Sequence, residues 1–174
     1  MPQLRRNWAD NLMKLKSILK LAAAIVLCQA AGALGTLFTF SAIRDWYIYL
    51  EKPFFSPPNW LFGPVWTTLY TLMGIALYLL WQYSPKTKAE KNTLKKVLSY
   101  FYIQLFLNAS WSIVFFGFKN IGGGVINILL LWGFILAVMI SGYKISRWVT
   151  LLFLPYLLWV SFASVVNYSL WLLN

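Results

Sequence analysis

Apolar residues gather in five long runs, and polar residues collect between them. The runs cover 17–40, 65–83, 97–118, 122–143 and 149–173. Each can cross a hydrocarbon layer of ~30 Å at about 1.5 Å rise per residue. Only Lys20 places a formal charge inside any of them. Hydrocarbon offers no partner for backbone N–H and C=O groups, so such runs cross as helices. The pattern predicts an all-α membrane protein, a five-transmembrane-helix bundle.

The connectors predict the rest of the architecture. Residues 1–16 read as a basic N-terminal tail. It is either a short interfacial helix presenting Trp8, Leu12 and Leu15 or a frayed segment. Residues 17–174 read as a single membrane domain. A basic loop is expected at 84–96, a tight glycine-assisted reversal around 119–123 and a shorter link at 144–148. Short links predict that sequential helices are antiparallel neighbours. No internal repeat is visible. The connector at 41–64 is long and rich in aromatics, and its Pro53, Pro57, Pro58 and Pro64 oppose a continuous helix. It reads as a lid over one end of the bundle, with a short helical turn carrying Trp46 and Tyr47. The alternative is an aromatic belt that anchors helix ends at the interface.

Composition removes whole classes of chemistry. The chain is 60% hydrophobic and only 11% charged, against a usual charged share of about 25%. With no histidine, His-based acid–base catalysis and imidazole metal sites are excluded. Cys28 is the single cysteine, so no intrachain disulfide forms, and it reads as a small buried hydrophobe. Asp10, Asp45, Glu51 and Glu90 lie outside the runs and far apart, which gives no carboxylate pair and no metal site. No resident cofactor is expected.

The net charge of +11 comes from 15 basic and 4 acidic residues. Of the 15 basic residues, all but Arg44, Lys52 and Lys119 fall on the side of the N-terminus, which is twelve against three. That asymmetry predicts a cytoplasmic N-terminus, with the first loop and the C-terminus on the opposite side. It points to lipid headgroups rather than nucleic acid. Ala31-Gly32-Ala33 resembles a signal cleavage site, but the charged leader and apolar run are too long for a signal peptide. The first run is expected to stay as a span.

Helical spacing collects unusual residues onto faces. Trp66, Tyr70 and Gly74 share one stripe of the second span, Gln104, Asn108, Trp111 and Phe115 one of the third, and Trp159, Ala163 and Asn167 one of the fifth. Amides are costly in lipid, so these stripes should face inward and find partners. An uncharged interior of indoles, phenols and amides suits a large, flat, mostly apolar ligand, with Gly74 and Ala163 leaving room. Helix glue is the plainer alternative. Two small-residue stripes, Ala24–Cys28–Gly32 and Gly133–Ala137–Ser141, suit packing within the bundle or between two copies.

The order of motifs resembles the translocator protein/tryptophan-rich sensory protein (TspO/MBR) family. Lys52-Pro53, Phe55, Pro57-Pro58, Trp60, Phe62-Gly63-Pro64-Val65-Trp66-Thr67 and Leu69-Tyr70 carry the first part. Gln104-Leu105, Leu107-Asn108, Trp111-Ser112 and Phe115-Phe116-Gly117 carry the second. Pro155-Tyr156, Trp159, Phe162-Ala163 and Asn167-Tyr168 carry the third.

The resemblance implies a five-helix bundle, usually a homodimer, with a ligand pocket beneath the first loop. It implies tetrapyrroles of the protoporphyrin IX type as ligands, with lipids, or sterols in some members, as further partners. By motif, Tyr47, Trp66, Asn108, Trp111, Trp159 and Ala163 take pocket positions, and the stripes add Tyr70 and Asn167. In some bacterial members the tryptophans matching Trp66 and Trp159 are linked to light-dependent porphyrin breakdown, so enzymatic and transport roles stay open beside sensing. Animal members carry a basic residue after the fifth-helix tyrosine. Here Tyr168 is followed by Ser169-Leu170-Trp171-Leu172-Leu173-Asn174, which favours a tetrapyrrole over a sterol.

Overall fold

The computed structural model describes residues 2–174, with side chains described from residue 12 onward except at residue 40. Its helices are α1 (Pro2–Asp45), α2 (Asn59–Gln82), α3 (Lys88–Ser112), α4 (Ile121–Tyr143) and α5 (Arg147–Leu173). All five are long and apolar enough to span a membrane. No strand occurs among the described residues.

Local signals explain the boundaries. Thr87 caps α3 by accepting from the Glu90 N–H at 3.1 Å, and Asn120 caps α4 by accepting from Gly123 at 2.7 Å. Ser146 caps α5 through the Trp148 N–H at 3.3 Å. Before α2, Pro58 is extended (ψ 144°) and the helix begins at the next residue.

Several boundaries differ from the sequence reading. The N-terminal segment continues α1 as helix instead of forming a separate tail; Leu12 and Leu15 are exposed, while the Trp8 side chain lies outside the described residues. α3 starts at Lys88, so the 84–96 loop shrinks to 83–87. Hydropathy reports the surroundings of a helix, not its conformation, so polar first turns escape it. Likewise, α1 runs to Asp45 and α2 passes through Pro64, leaving only 46–58 between them. The missing Pro64 N–H costs the helix only its bond to the carbonyl of Trp60, near an exposed end.

The reversal before α4 is not made by glycine. Lys119 takes the left-handed conformation (φ 52°), and no glycine does. α3 widens into a π-turn at Ile113–Gly117, with Phe118 N–H donating to the Ile113 carbonyl at 2.9 Å. This turn buries the consecutive Phe115 and Phe116 together. The glycines serve close approach instead: a Cβ on Gly124 would lie 2.8 Å from Phe115 and 3.1 Å from Asn167 Oδ1.

The helices form a ring in the order α1, α2, α5, α4, α3, closing back on α1. α2 and α3 are joined by five residues yet are not full neighbours, because α1 packs between them. The small stripe Ala24–Cys28–Gly32 is spent inside the bundle: Ala24 and Cys28 are buried, and a Cβ on Gly32 would collide with the Tyr70 ring. Gly74 admits the α1 backbone at Ile25, so it leaves no room for a ligand. Gly133, by contrast, is exposed with open space around it.

Tyr156, Phe101, Phe153, Met73 and Leu77 fill the core toward the N-terminal end of the bundle. A second cluster around Tyr47, Phe115, Phe116 and Leu170 lies at the other end. Between them the packing opens.

Candidate functional site

A cavity of about 510 Å³ lies between the C-terminal half of α1, the N-terminal half of α2 and the C-terminal half of α3. Trp66, Tyr70, Asn108 and Trp111 line it, with Tyr47 reaching in from the connector. Among the described residues, no Asp, Glu, Lys or Arg contributes to its wall. A second space of about 40 Å³ adjoins it against α5, lined by Trp159, Ala163 and Asn167. Tyr47, Phe62, Trp111 and Phe116 belong to both walls. The eight residues singled out by sequence are thus brought together around two adjoining spaces. Trp66 and Trp111 share the larger one. Trp159 stands apart in the smaller, its ring edge-on to Phe62 at 6.1 Å.

The amides tie the walls together. Asn108 Oδ1 accepts from the Tyr70 hydroxyl, and Asn108 Nδ2 donates to the Tyr156 hydroxyl at 2.7 Å. One side chain on α3 thereby links α2 and α5. Asn167 Oδ1 accepts from Trp111 Nε1 at 2.9 Å, while its Nδ2 donates to the Ile121 carbonyl at 3.3 Å. The expectation that these amides point inward and find partners holds at both positions. Gln104 is also fully buried, but it lies below the chamber, where Nε2 meets Met73 Sδ at 3.7 Å. Its Oε1 and the Trp159 Nε1 are buried without a hydrogen-bond partner among the described residues.

Rings hold the walls rigid. Trp66 stacks on Tyr70 with centroids 5.5 Å apart, and Trp111 stacks on Phe115 at 5.0 Å. Both are favourable offset arrangements.

The connector 46–58 packs over the ends of α3 and α5. Tyr47 and Trp46 pack edge-on against Phe115, and Tyr47 also meets Phe116. The predicted short turn is a 3₁₀ turn at Tyr47–Tyr49. Burial pushes the Tyr47 phenol up from its ordinary pKa, so it stays neutral at physiological pH. Lys52 Nζ sits 4.4 Å over its ring. Asn174 fastens the segment to the end of α5: its Oδ1 accepts from the Glu51 N–H and its Nδ2 donates to the Glu51 carbonyl, each at 3.0 Å.

Sequence reasoning missed the contribution of α1. Gln29, Gly32, Ala33, Thr36, Thr39 and Ile43 complete the wall of the larger space. Their signal was present: Gln29, Thr36 and Ile43 recur every seven residues, with Gly32 and Thr39 on the same face.

Five apolar helices around an uncharged aromatic chamber define a polytopic helical membrane protein with an internal site. Comparison with known proteins makes the class specific. The sequence model of the TspO/MBR family matches residues 24–172, and the chain belongs to that family. It is 43% identical over 158 residues to the tryptophan-rich protein TspO of Archaeoglobus fulgidus, covering 91% of this chain and 99% of that one. It is 36% identical to the human translocator protein over 153 residues (86% and 88%), and 31% identical to the tryptophan-rich sensory protein of Cereibacter sphaeroides over 153 residues (88% and 92%).

Proposed function

We propose that this multi-pass membrane protein binds a tetrapyrrole of the protoporphyrin IX type and acts as a sensor, regulator or carrier of porphyrins. The observation that carries the reading is the uncharged chamber of about 510 Å³ lined by Trp66, Tyr70, Asn108 and Trp111. Its size falls within the ~300–1,000 Å³ of small-molecule sites. Flat conjugated rings stack on indole faces, and hydrophobic walls with few polar groups suit them. The macrocycle lies against Trp66 and Trp111, and a substituent reaches toward Trp159 and Ala163. The connector 46–58 closes over the ligand as a lid. Lys52, exposed beside Tyr47, meets carboxylate substituents at the rim.

The N-terminus lies in the cytoplasm, and the lid and C-terminus lie on the opposite side, as the basic flanks direct. The protein works as a homodimer, for which the outward Gly133–Ala137–Ser141 stripe of α4 is left available.

Titration with protoporphyrin IX is expected to quench tryptophan fluorescence saturably. Trp159→Phe or Ala163→Leu should weaken the affinity by about tenfold, since each alters the neighbouring space. Equal affinity in wild type and both variants contradicts this seat. Under illumination, loss of porphyrin that depends on Trp66 or Trp159 would favour the photochemical role. The same products from Trp66→Phe and Trp159→Phe would remove it.

A further inference from the structure

The larger chamber is partly open, and its opening lies between two helices long and apolar enough to span a membrane. Its lining includes Ala33 and Thr36 of α1 together with Gly63 and Thr67 of α2. All four are also exposed on the outside of the bundle, which places a mouth between these two helices. The mouth lies within the membrane-spanning stretches of both, beside the exposed Leu34 and Leu37.

Below the mouth, α1 and α2 are locked together. Gln29 Nε2 donates to the Thr67 carbonyl and to Thr71 Oγ1, each at 3.0 Å. The Tyr70 ring fills the place of a Gly32 Cβ, and Gly74 seats against the Ile25 backbone. Above this floor the chamber is exposed. The hydroxyls at its rim are turned inward to their own helices: Thr36 Oγ1 donates to the Gly32 carbonyl at 3.0 Å and Thr67 Oγ1 to the Gly63 carbonyl at 2.9 Å. The four residues of the mouth therefore present methyl groups and backbone, without a charge or a free hydroxyl donor, to whatever passes.

We propose that the ligand enters sideways from the hydrocarbon layer, through a portal between α1 and α2 whose width is set by Ala33 and Gly63. The class of molecule it admits is flat, predominantly apolar and dissolved in the membrane. The proposal rests on the porphyrin-binding reading and adds the direction of approach. A route from water passes under the connector 46–58, where Tyr47 is wedged against Phe115 and Phe116 and Glu51 is held by Asn174. The lateral route requires no such contact to break.

The geometry offers a clean test. A Cβ on Gly63 meets nothing within 4 Å, so Gly63→Leu adds bulk to the mouth without displacing packed atoms. Because Gly63 precedes Pro64, where a larger residue meets the proline ring, Ala33→Leu on the facing helix is the second variant. Leu158→Phe is the control, since Leu158 is exposed on α5 and lines neither space.

Proteoliposomes loaded with protoporphyrin IX are mixed with excess empty vesicles, and recovery of tryptophan fluorescence gives the release rate. The reverse mixing gives uptake. Both portal variants should slow uptake and release together by about tenfold, because a narrowed passage raises the barrier in both directions. Leu158→Phe should match wild type. Unchanged rates in both portal variants overturn the portal. A weaker Kd with faster release also overturns it, by making these residues part of the seat. Wild-type protein without saturable quenching overturns the binding reading itself, and the portal with it.

Discussion

Asn108→Leu is expected to cost the folded protein about 2–5 kcal/mol, because it strands two buried phenols at once. Asn108 accepts from the Tyr70 hydroxyl on α2 and donates to that of Tyr156 on α5. Tyr156 is wholly buried and Tyr70 nearly so. Leucine is close in size, so the loss comes from hydrogen bonding rather than from a cavity. Each unpaired polar group in an apolar interior costs about 1–3 kcal/mol. The triple variant Asn108→Leu, Tyr70→Phe, Tyr156→Phe should recover most of the loss, since no stranded hydroxyl remains. Unfolding in detergent, followed by circular dichroism, reads both outcomes. An unchanged midpoint for Asn108→Leu would mean that this side chain does not tie the three helices together.

Trp111→Ala is expected to weaken protoporphyrin affinity by about a hundredfold, the effect of a central aromatic anchor worth ≥ 2 kcal/mol. Trp111 belongs to the walls of both spaces, stacks on Phe115 and donates to Asn167. Its removal also destabilises the fold, by about 3–5 kcal/mol for a large aromatic truncation. Trp111→Phe separates the two effects: it keeps a ring in place but loses the N–H, so binding should fall by less and folding should survive. Trp148 is exposed near the start of α5, at the end of the bundle away from the chamber, and Trp148→Ala should leave affinity unchanged. Fluorescence titration in detergent or nanodiscs measures all three. Wild-type affinity in Trp111→Ala would place the ligand elsewhere.

The parts of the fold that were legible in sequence are those where the physics is one-sided. The ends of α4 and α5 fall within two residues of the hydropathy boundaries at 122–143 and 149–173, because Asn120 and Ser146 are strong caps placed at the edge of the apolar run. α2 and α3 start earlier than their apolar runs. Lys88 and Glu90 are helical in water as readily as in lipid, so no hydropathy signal marks the start of α3.

The chamber was partly legible for a similar reason. Asn108 and Asn167 carry polar groups too costly to face lipid, so their stripes had to turn inward. The α1 wall escaped notice because Gly32, Ala33 and Thr36 cost little on either face: small side chains and a back-bonded hydroxyl tolerate lipid and cavity alike. The separation of Trp159 from Trp66 was hidden too. It depends on Phe62, which the prolines had assigned to an irregular loop and which instead sits on the first turn of α2.

The most direct measurement is an electron-density map of the protein crystallised with protoporphyrin IX at saturation. A flat macrocycle is expected between α1, α2 and α3, its faces against Trp66 and Trp111 and its edge beneath Tyr47. Density for the ring on the outer, lipid-facing surface, with the space beside Asn108 unoccupied, would contradict it.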